Sequence, residues 1–264
     1  MNWLFGGGNS EDSGKSNKKQ NATILADTSN SDVHVKSFKE DLSYLINPYL
    51  SIPLSCAGVL GTMMLYRRYL RRIPSAEYIT PRTLARRSSI RGYVTSVGDA
   101  DNFRMVHTPL PWPFTKLQRI PTDKKVLKNN TIHVRLAGVD APELAHFGKP
   151  AQPYSSEALA FLTSLVNGRR VKVELCSKDH YGRMVGLAFV RKPFFWPWRK
   201  NVSLEMLKVG LATVYDNAGA EYGSIGKEKL LAAEAKAKRK RKGMWAQKSS
   251  AYESPAEYKR RHSS

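Results

Sequence analysis

From Leu42 to Tyr66 the chain runs 25 residues without a charged side chain, then meets Arg67-Arg68-Tyr69-Leu70-Arg71-Arg72. A stretch of that polarity reads as a membrane span or as a helix buried in a core, since roughly 20 apolar residues cross a hydrocarbon layer. Pro48 and Pro53 weaken its first turns and leave about Tyr49 to Tyr66 as its core, close to the minimum spanning length. The expectation is one transmembrane helix over 42–66, with a buried soluble helix as its competitor. The arginines on its C-terminal side would put the following residues on the cytosolic or matrix face. The segment also divides the chain. It separates a disordered arm over 1–41, rich in Gly, Ser, Asn and Lys, from a basic linker over 67–87, a folded domain over 88–246 and a basic tail over 247–264.

Charge follows the same division. The whole chain carries 43 Lys and Arg against 22 Asp and Glu, a net charge of +21. Residues 1–66 hold five Lys and six acids, so the remainder carries +22. A domain this basic attracts polyanions or anionic lipid head groups. Two cysteines, Cys56 and Cys176, have no clustered histidines near them in sequence, which argues against a zinc site or a disulfide framework. Glu11 and Asp12 without an early Arg do not make a standard transit peptide.

Within the domain, Ser88 to Val97 and Thr131 to Val139 read as strands, the second stopped at Asp140-Ala141-Pro142. Pro109, Pro111 and Pro113 mark a loop between them. Ala158, Phe161, Leu162, Leu165 and Val166 recur at helical spacing, with Ser155 or Ser156 as the cap and Gly168 as the close. Val171 to Leu175 and Val185 to Val190 form a hairpin about a turn at Asp179 to Gly182. A short helix over Ser203 to Val209, a strand over Leu211 to Tyr215 and a basic helix from Ser224 to about Arg241 follow. Strands first and helices later imply an α+β domain, a small closed antiparallel barrel carrying helices.

Two charged clusters carry chemistry. Val134 to Glu143 places Arg135 on a strand, Asp140 at its end and Glu143 just beyond a proline, while Asp179-His180-Tyr181-Gly182-Arg183 puts a guanidinium at the hairpin turn. Hydrolysis of a phosphodiester needs a hard cation held by oxygens, a base for water and positive donors for the transition state, and these residue types supply all three. Alone, each cluster reads equally as a structural ion pair or a turn. The aromatics and cations of Pro193 to Lys200 suit stacking on bases, a bilayer interface or simple cover of the core.

The strings R-L-x-x-V-D-A-P-E at 135–143, D-x-Y-G-R at 179–183 and G-D-A-D-N at 98–102, followed by L-x-x-G-L-A at 207–212, resemble the staphylococcal-nuclease, or thermonuclease-like, family over roughly 90–246. The resemblance implies an OB-type five-stranded barrel with about three helices, and a calcium-dependent nuclease acting on DNA or RNA. It implies that Glu143 is general base on a water and that Arg135 and Arg183 stabilise the phosphorane. By the same resemblance Ca²⁺ is held by Asp140, Asp101 and the carbonyl of Ala141, and Tyr181 and Tyr215 line the phosphate pocket. The N-terminal apolar segment is similar to that of the fungal membrane-anchored members of the family, which are placed in mitochondria. A single-pass mitochondrial membrane protein, monomeric and without organic cofactor, is the full expectation. Its rivals are an inactive nuclease-like module that binds nucleic acid or protein, and an adaptor that grips anionic lipid.

Overall fold

A computed structural model describes residues 48–110, 114–145, 148–191, 199–247 and 252–261. The arm over 1–41, the Pro111 to Pro113 loop and residues 193–198 of the aromatic segment 193–200 lie outside the described residues. The chain divides into two compact units, Met1–Tyr66 and Arg67–Ser264.

In the first unit, helix α1 (Pro48–Leu65) contains Pro53, and Ile52, Leu54, Val59, Met63 and Met64 on it are exposed. Among the described residues no helix is long and apolar enough to cross a membrane. Of the transmembrane helix expected over 42–66, residues 42–47 lie outside the described residues, and the described part does not by itself meet that requirement. The described part of α1, 18 residues from Pro48 to Leu65, rises about 27 Å at 1.5 Å each.

The second unit begins before the expected domain boundary. A 3₁₀ turn (Ala76–Tyr78) and helix α2 (Pro81–Ala85), with Thr80 as its cap and Pro81 in its first turn, occupy the predicted linker. Ala76 and Ile79 are buried against the core, so part of 67–87 is folded rather than a connector.

Strands β1 (Ser89–Asp99), β2 (Asn102–His107), β3 (Ile132–Leu136), β5 (Arg170–Lys178) and β6 (Met184–Arg191) make the barrel. Their order is β3-β2-β1-β5-β6, antiparallel throughout, and the sheet closes when β3 pairs with β6 in parallel, Arg135 opposite Val185. The closed five-stranded α+β barrel is as expected, but the closing ladder is parallel, because four successive antiparallel pairings leave β3 and β6, the first and fifth strands of the ring, running in the same direction. Strand β7 (Arg199–Asn201) extends the β6 edge. Inward residues alternate with half-buried ones along β3, so Ile132, Val134 and Leu136 join Phe103, Met105, Val173, Leu175 and Met184 in the core. Each such side chain contributes about 1.5–3 kcal/mol on burial.

The expected strand from Thr131 to Val139 breaks in two. Gly138 takes a left-handed φ of +73°, which turns the chain after Leu136 and starts β4 (Val139–Asp140). The predicted strand Leu211 to Tyr215 shortens to β8 (Thr213–Val214), the partner of β4. A short helix α3 (Lys124–Leu127) precedes β3.

The packed helices are α4 (Ser155–Val166), α5 (Val202–Val209) and α6 (Lys227–Arg239). In α4 the buried line is Ala158, Leu162 and Val166, with Phe161 and Leu165 on its margin. The N-cap of α4 is Tyr154, not a serine, and Ser155 is buried within the first turn. Helix α5 starts on the Asn201 side chain, which accepts from the Leu204 N–H at 2.8 Å, and ends at left-handed Gly210. The helices also grip the broken strand. Ser203 Oγ donates to the Ala137 carbonyl (3.0 Å), and Glu234 of α6 accepts from the Val214 N–H (3.1 Å). Finally, the predicted basic tail contains helix α7 (Pro255–Arg261), whose Pro255 and Tyr258 are buried.

Candidate active site

Three loops and one helix meet at one end of the barrel. The β1–β2 turn brings Asp99 and Asp101, the end of β3 brings Arg135, and β4 with the following loop brings Asp140 and Glu143. The β5–β6 turn brings Tyr181 and Arg183, and α7 adds Lys259 and Arg260. They enclose a cleft of about 680 Å³. Arg135, Asp140, Asp101, Glu143 and Arg183 are thus brought together, whereas Ala141 is buried behind the wall and does not line it.

Register explains the Asp101–Arg135 contact. Asn102 lies opposite Arg135 in the β2–β3 ladder, and the Leu136 N–H donates to the Asp101 carbonyl at 2.9 Å. The guanidinium Nε then donates to Asp101 Oδ2 (3.2 Å), while Nη2 lies 3.5 Å from Asp140 Oδ1. Its ζ carbon sits 5.1 Å from the centre of the Tyr215 ring. Burial disfavours the charge on Arg135, but Asp101 and Asp140 outweigh it and hold its pKa above the ordinary value. Asn102 steadies Asp101 by donating Nδ2–H to Oδ1 (3.0 Å), and its own Oδ1 faces His133 Nε2 at 3.0 Å.

Arg183 is presented by an Asx-type turn. Asp179 Oδ1 accepts from the N–H groups of Tyr181 (3.0 Å) and Arg183 (2.8 Å), and Oδ2 accepts from Arg183 Nε at 2.6 Å. Burial raises the Asp179 pKa, but the hydrogen bonds from Arg183 dominate and hold it below the usual carboxylate range. With Nε committed, the terminal amino groups are left for an anion, in the fork geometry that suits phosphate. The Tyr181 ring lies 5.3 Å from the guanidinium carbon, so both expected tyrosines stack on the two arginines.

Asp140 is 2% exposed. Burial, and to a lesser degree neighbouring Asp101, push its carboxyl upward against the opposing pull of Lys259 and Arg135. Oδ1 accepts from Lys259 Nζ at 2.6 Å, while Oδ2 is buried without a hydrogen-bond partner. Asp99, raised to about 6 by burial and by Asp101, adds another carboxylate to this corner. Among the described residues, no group of three or more His, Cys, Asp or Glu is arranged tightly enough to hold a metal ion alone. Even so, an orphaned buried carboxylate oxygen beside Asp101 suits a hard divalent cation that keeps waters in its coordination sphere.

Three participants were not foreseen: Lys259, Gln152 and Asp99. Lys259 Nζ also lies 2.8 Å from Glu143 Oε1, so one ammonium bridges the two carboxylates. Gln152, 5% exposed, accepts the Glu143 N–H on its side chain (2.9 Å) and donates its own N–H to the Glu143 carbonyl (2.9 Å). Asp99 was visible in the G-D-A-D-N string; Lys259 and Gln152 had no local signal. Lys259 is 119 residues from Asp140, and Gln152 sits in a loop of ordinary composition.

Comparison with known proteins agrees with the geometry. The family model described as "Staphylococcal nuclease homologue" matches residues 133–247. A protein of Pyricularia oryzae called "Probable endonuclease LCL3" is 50% identical over 231 residues, covering 85% of this chain and 87% of its own. Its namesake in Arthroderma otae is 44% identical over 277 residues (99% and 96%), and that in Schizophyllum commune 49% over 225 (81% and 76%).

Proposed function

This chain belongs to the staphylococcal nuclease homologue family and is a nuclease-type hydrolase of nucleic acid, and from that premise we propose that it is a calcium-dependent endonuclease in which Glu143 activates water while Arg135 and Arg183 stabilise the phosphorane. The observation that carries the proposal is the convergence of these three side chains with Asp140 and Asp101 on one cleft of about 680 Å³.

Each residue has a task that follows from its surroundings. Glu143, whose backbone is clamped at both N–H and C=O by Gln152, offers a carboxylate to take a proton from water. Arg135 and Arg183, each fixed through Nε to an aspartate, present their terminal nitrogens to the phosphoryl oxygens where negative charge grows. Asp140 and Asp101 would hold Ca²⁺, which when bound neutralises phosphate charge and lowers the pKa of water. Contacts of this kind address the backbone and carry little base preference, in DNA or RNA. A mitochondrial location belongs to the same proposal, supported by family resemblance, and subcellular fractionation tests it.

Purified full-length protein is expected to cut plasmid DNA or RNA in Ca²⁺ and to stop on addition of chelator. Glu143→Gln should lower kcat by about 10²–10⁴, and Arg183→Ala by about 10²–10³. Undiminished cutting by either variant would remove the assignment.

A further inference from the structure

The cleft contains a cation of its own. Lys259 Nζ sits 2.6 Å from Asp140 Oδ1 and 2.8 Å from Glu143 Oε1, joining the proposed calcium ligand to the proposed base. The carboxylates differ in access, since the Asp140 side chain is 2% exposed and that of Glu143 27%, whereas the lysine side chain is 39% exposed. Lys259 can therefore leave toward solvent without the core being opened.

The helix that delivers it is fastened to one place. The buried Tyr258 donates its hydroxyl to the Pro150 carbonyl, and Gln152 Nε2 donates to the Glu253 carbonyl at 3.4 Å. Gln152 is also the clamp on Glu143. Helix position and Glu143 position are linked through one side chain.

We propose that Lys259 is a tethered competitor of the divalent cation, so that α7 must release Asp140 and Glu143 before the ion binds, and the C-terminal helix sets the ion concentration at which the site becomes active. This rests on the calcium reading above. The chemistry favours such an exchange. An ammonium brings one charge to two carboxylates where a divalent ion brings two, but tethering gives it an effective concentration on the order of millimolar. The apparent affinity for the ion is then reduced by the fraction of molecules whose lysine is away.

The test uses full-length protein and calcium chloride alone, read by titration calorimetry. Lys259→Met, which keeps the apolar stem, should bind Ca²⁺ about tenfold more tightly than the wild type, as expected if about nine molecules in ten have the lysine docked. Lys259→Arg should bind as the wild type does. A second reading needs no variant: calcium should speed backbone amide exchange in 252–261 of the unaltered chain. Binding to the wild type with no gain in Lys259→Met, or with exchange in 252–261 unchanged, overturns the competition. Absence of calcium binding to both chains overturns the calcium assignment itself, and this inference with it.

Discussion

Asp179 commits both carboxylate oxygens to the turn that presents Arg183, with three donors on two atoms. A guanidinium released from that hold samples many rotamers, and misplacement by about 1 Å costs on the order of 10²-fold in rate. Asp179→Ala should therefore reduce kcat/KM by about 10²-fold while leaving the melting temperature within a few degrees, checked by single-turnover cleavage and thermal unfolding. His107 acts on stability instead. It is 7% exposed, its Nδ1 accepts from the Ile73 N–H at 3.0 Å, and burial followed by the charge of Arg72 lowers its pKa to about 4. A histidine depressed in the native state contributes stability that is complete above its unfolded value of about 6.5 and is lost as pH falls toward the folded value. Urea unfolding should show a loss of about 2 kcal/mol between pH 6.5 and 4 from this residue. His107→Asn, with a non-titrating acceptor in place of Nδ1, should flatten that slope. Asp99, raised to about 6, works in the opposite sense and becomes less costly as pH falls through that value.

The break between β3 and β4 lets one strand serve both barrel and cleft. Gly138 turns at φ +73°, and a Cβ there would lie 2.6 Å from Leu230 Cδ1, on a fully buried side chain of α6. Gly138→Ala combines left-handed strain of about 1–2 kcal/mol with overpacking of about 1–3 kcal/mol. The expected total of about 2–5 kcal/mol is measurable by urea denaturation. Because β4 carries Asp140, the same change should weaken the calcium binding proposed above even in molecules that remain folded. Helices α5 and α6 hold β4 and β8 through Ser203 and Glu234, so the elements that stabilise the fold also aim the carboxylate.

Over the whole molecule the charge is distributed to gather nucleic acid outside the cleft rather than in it. The cleft balances Asp99, Asp101, Asp140 and Glu143 against Arg135, Arg183, Lys259 and Arg260, while the chain beyond residue 66 carries +22. Long-range attraction must then come from the outer surface, including the end of α6, where Lys240, Arg241 and Lys242 are exposed. Binding to uncleaved DNA in the presence of chelator should fall by about 10³-fold or more between 50 and 200 mM salt. Charge-neutral substitutions at Lys240 and Lys242 should reduce the slope by about two and leave the single-turnover rate unchanged.

Much of the site was legible because its pieces are local. Arg135 to Glu143 and Asp179 to Arg183 are short strings in which strand, turn and charge occur together, and the core faces of β3, β5 and α4 repeat at their own periods. The apolar run before Arg67 was also local, and its described part winds as α1 from Pro48 to Leu65. What the sequence by itself determined is the set of elements and the chemistry at their ends. Only the tertiary structure decided the parallel closure of β3 on β6, the clamp of Gln152 on Glu143 and the arrival of Lys259 between Asp140 and Glu143. Those contacts join distant parts of the chain through loop closure and packing, and neither leaves a periodic or compositional trace in the residues that make them.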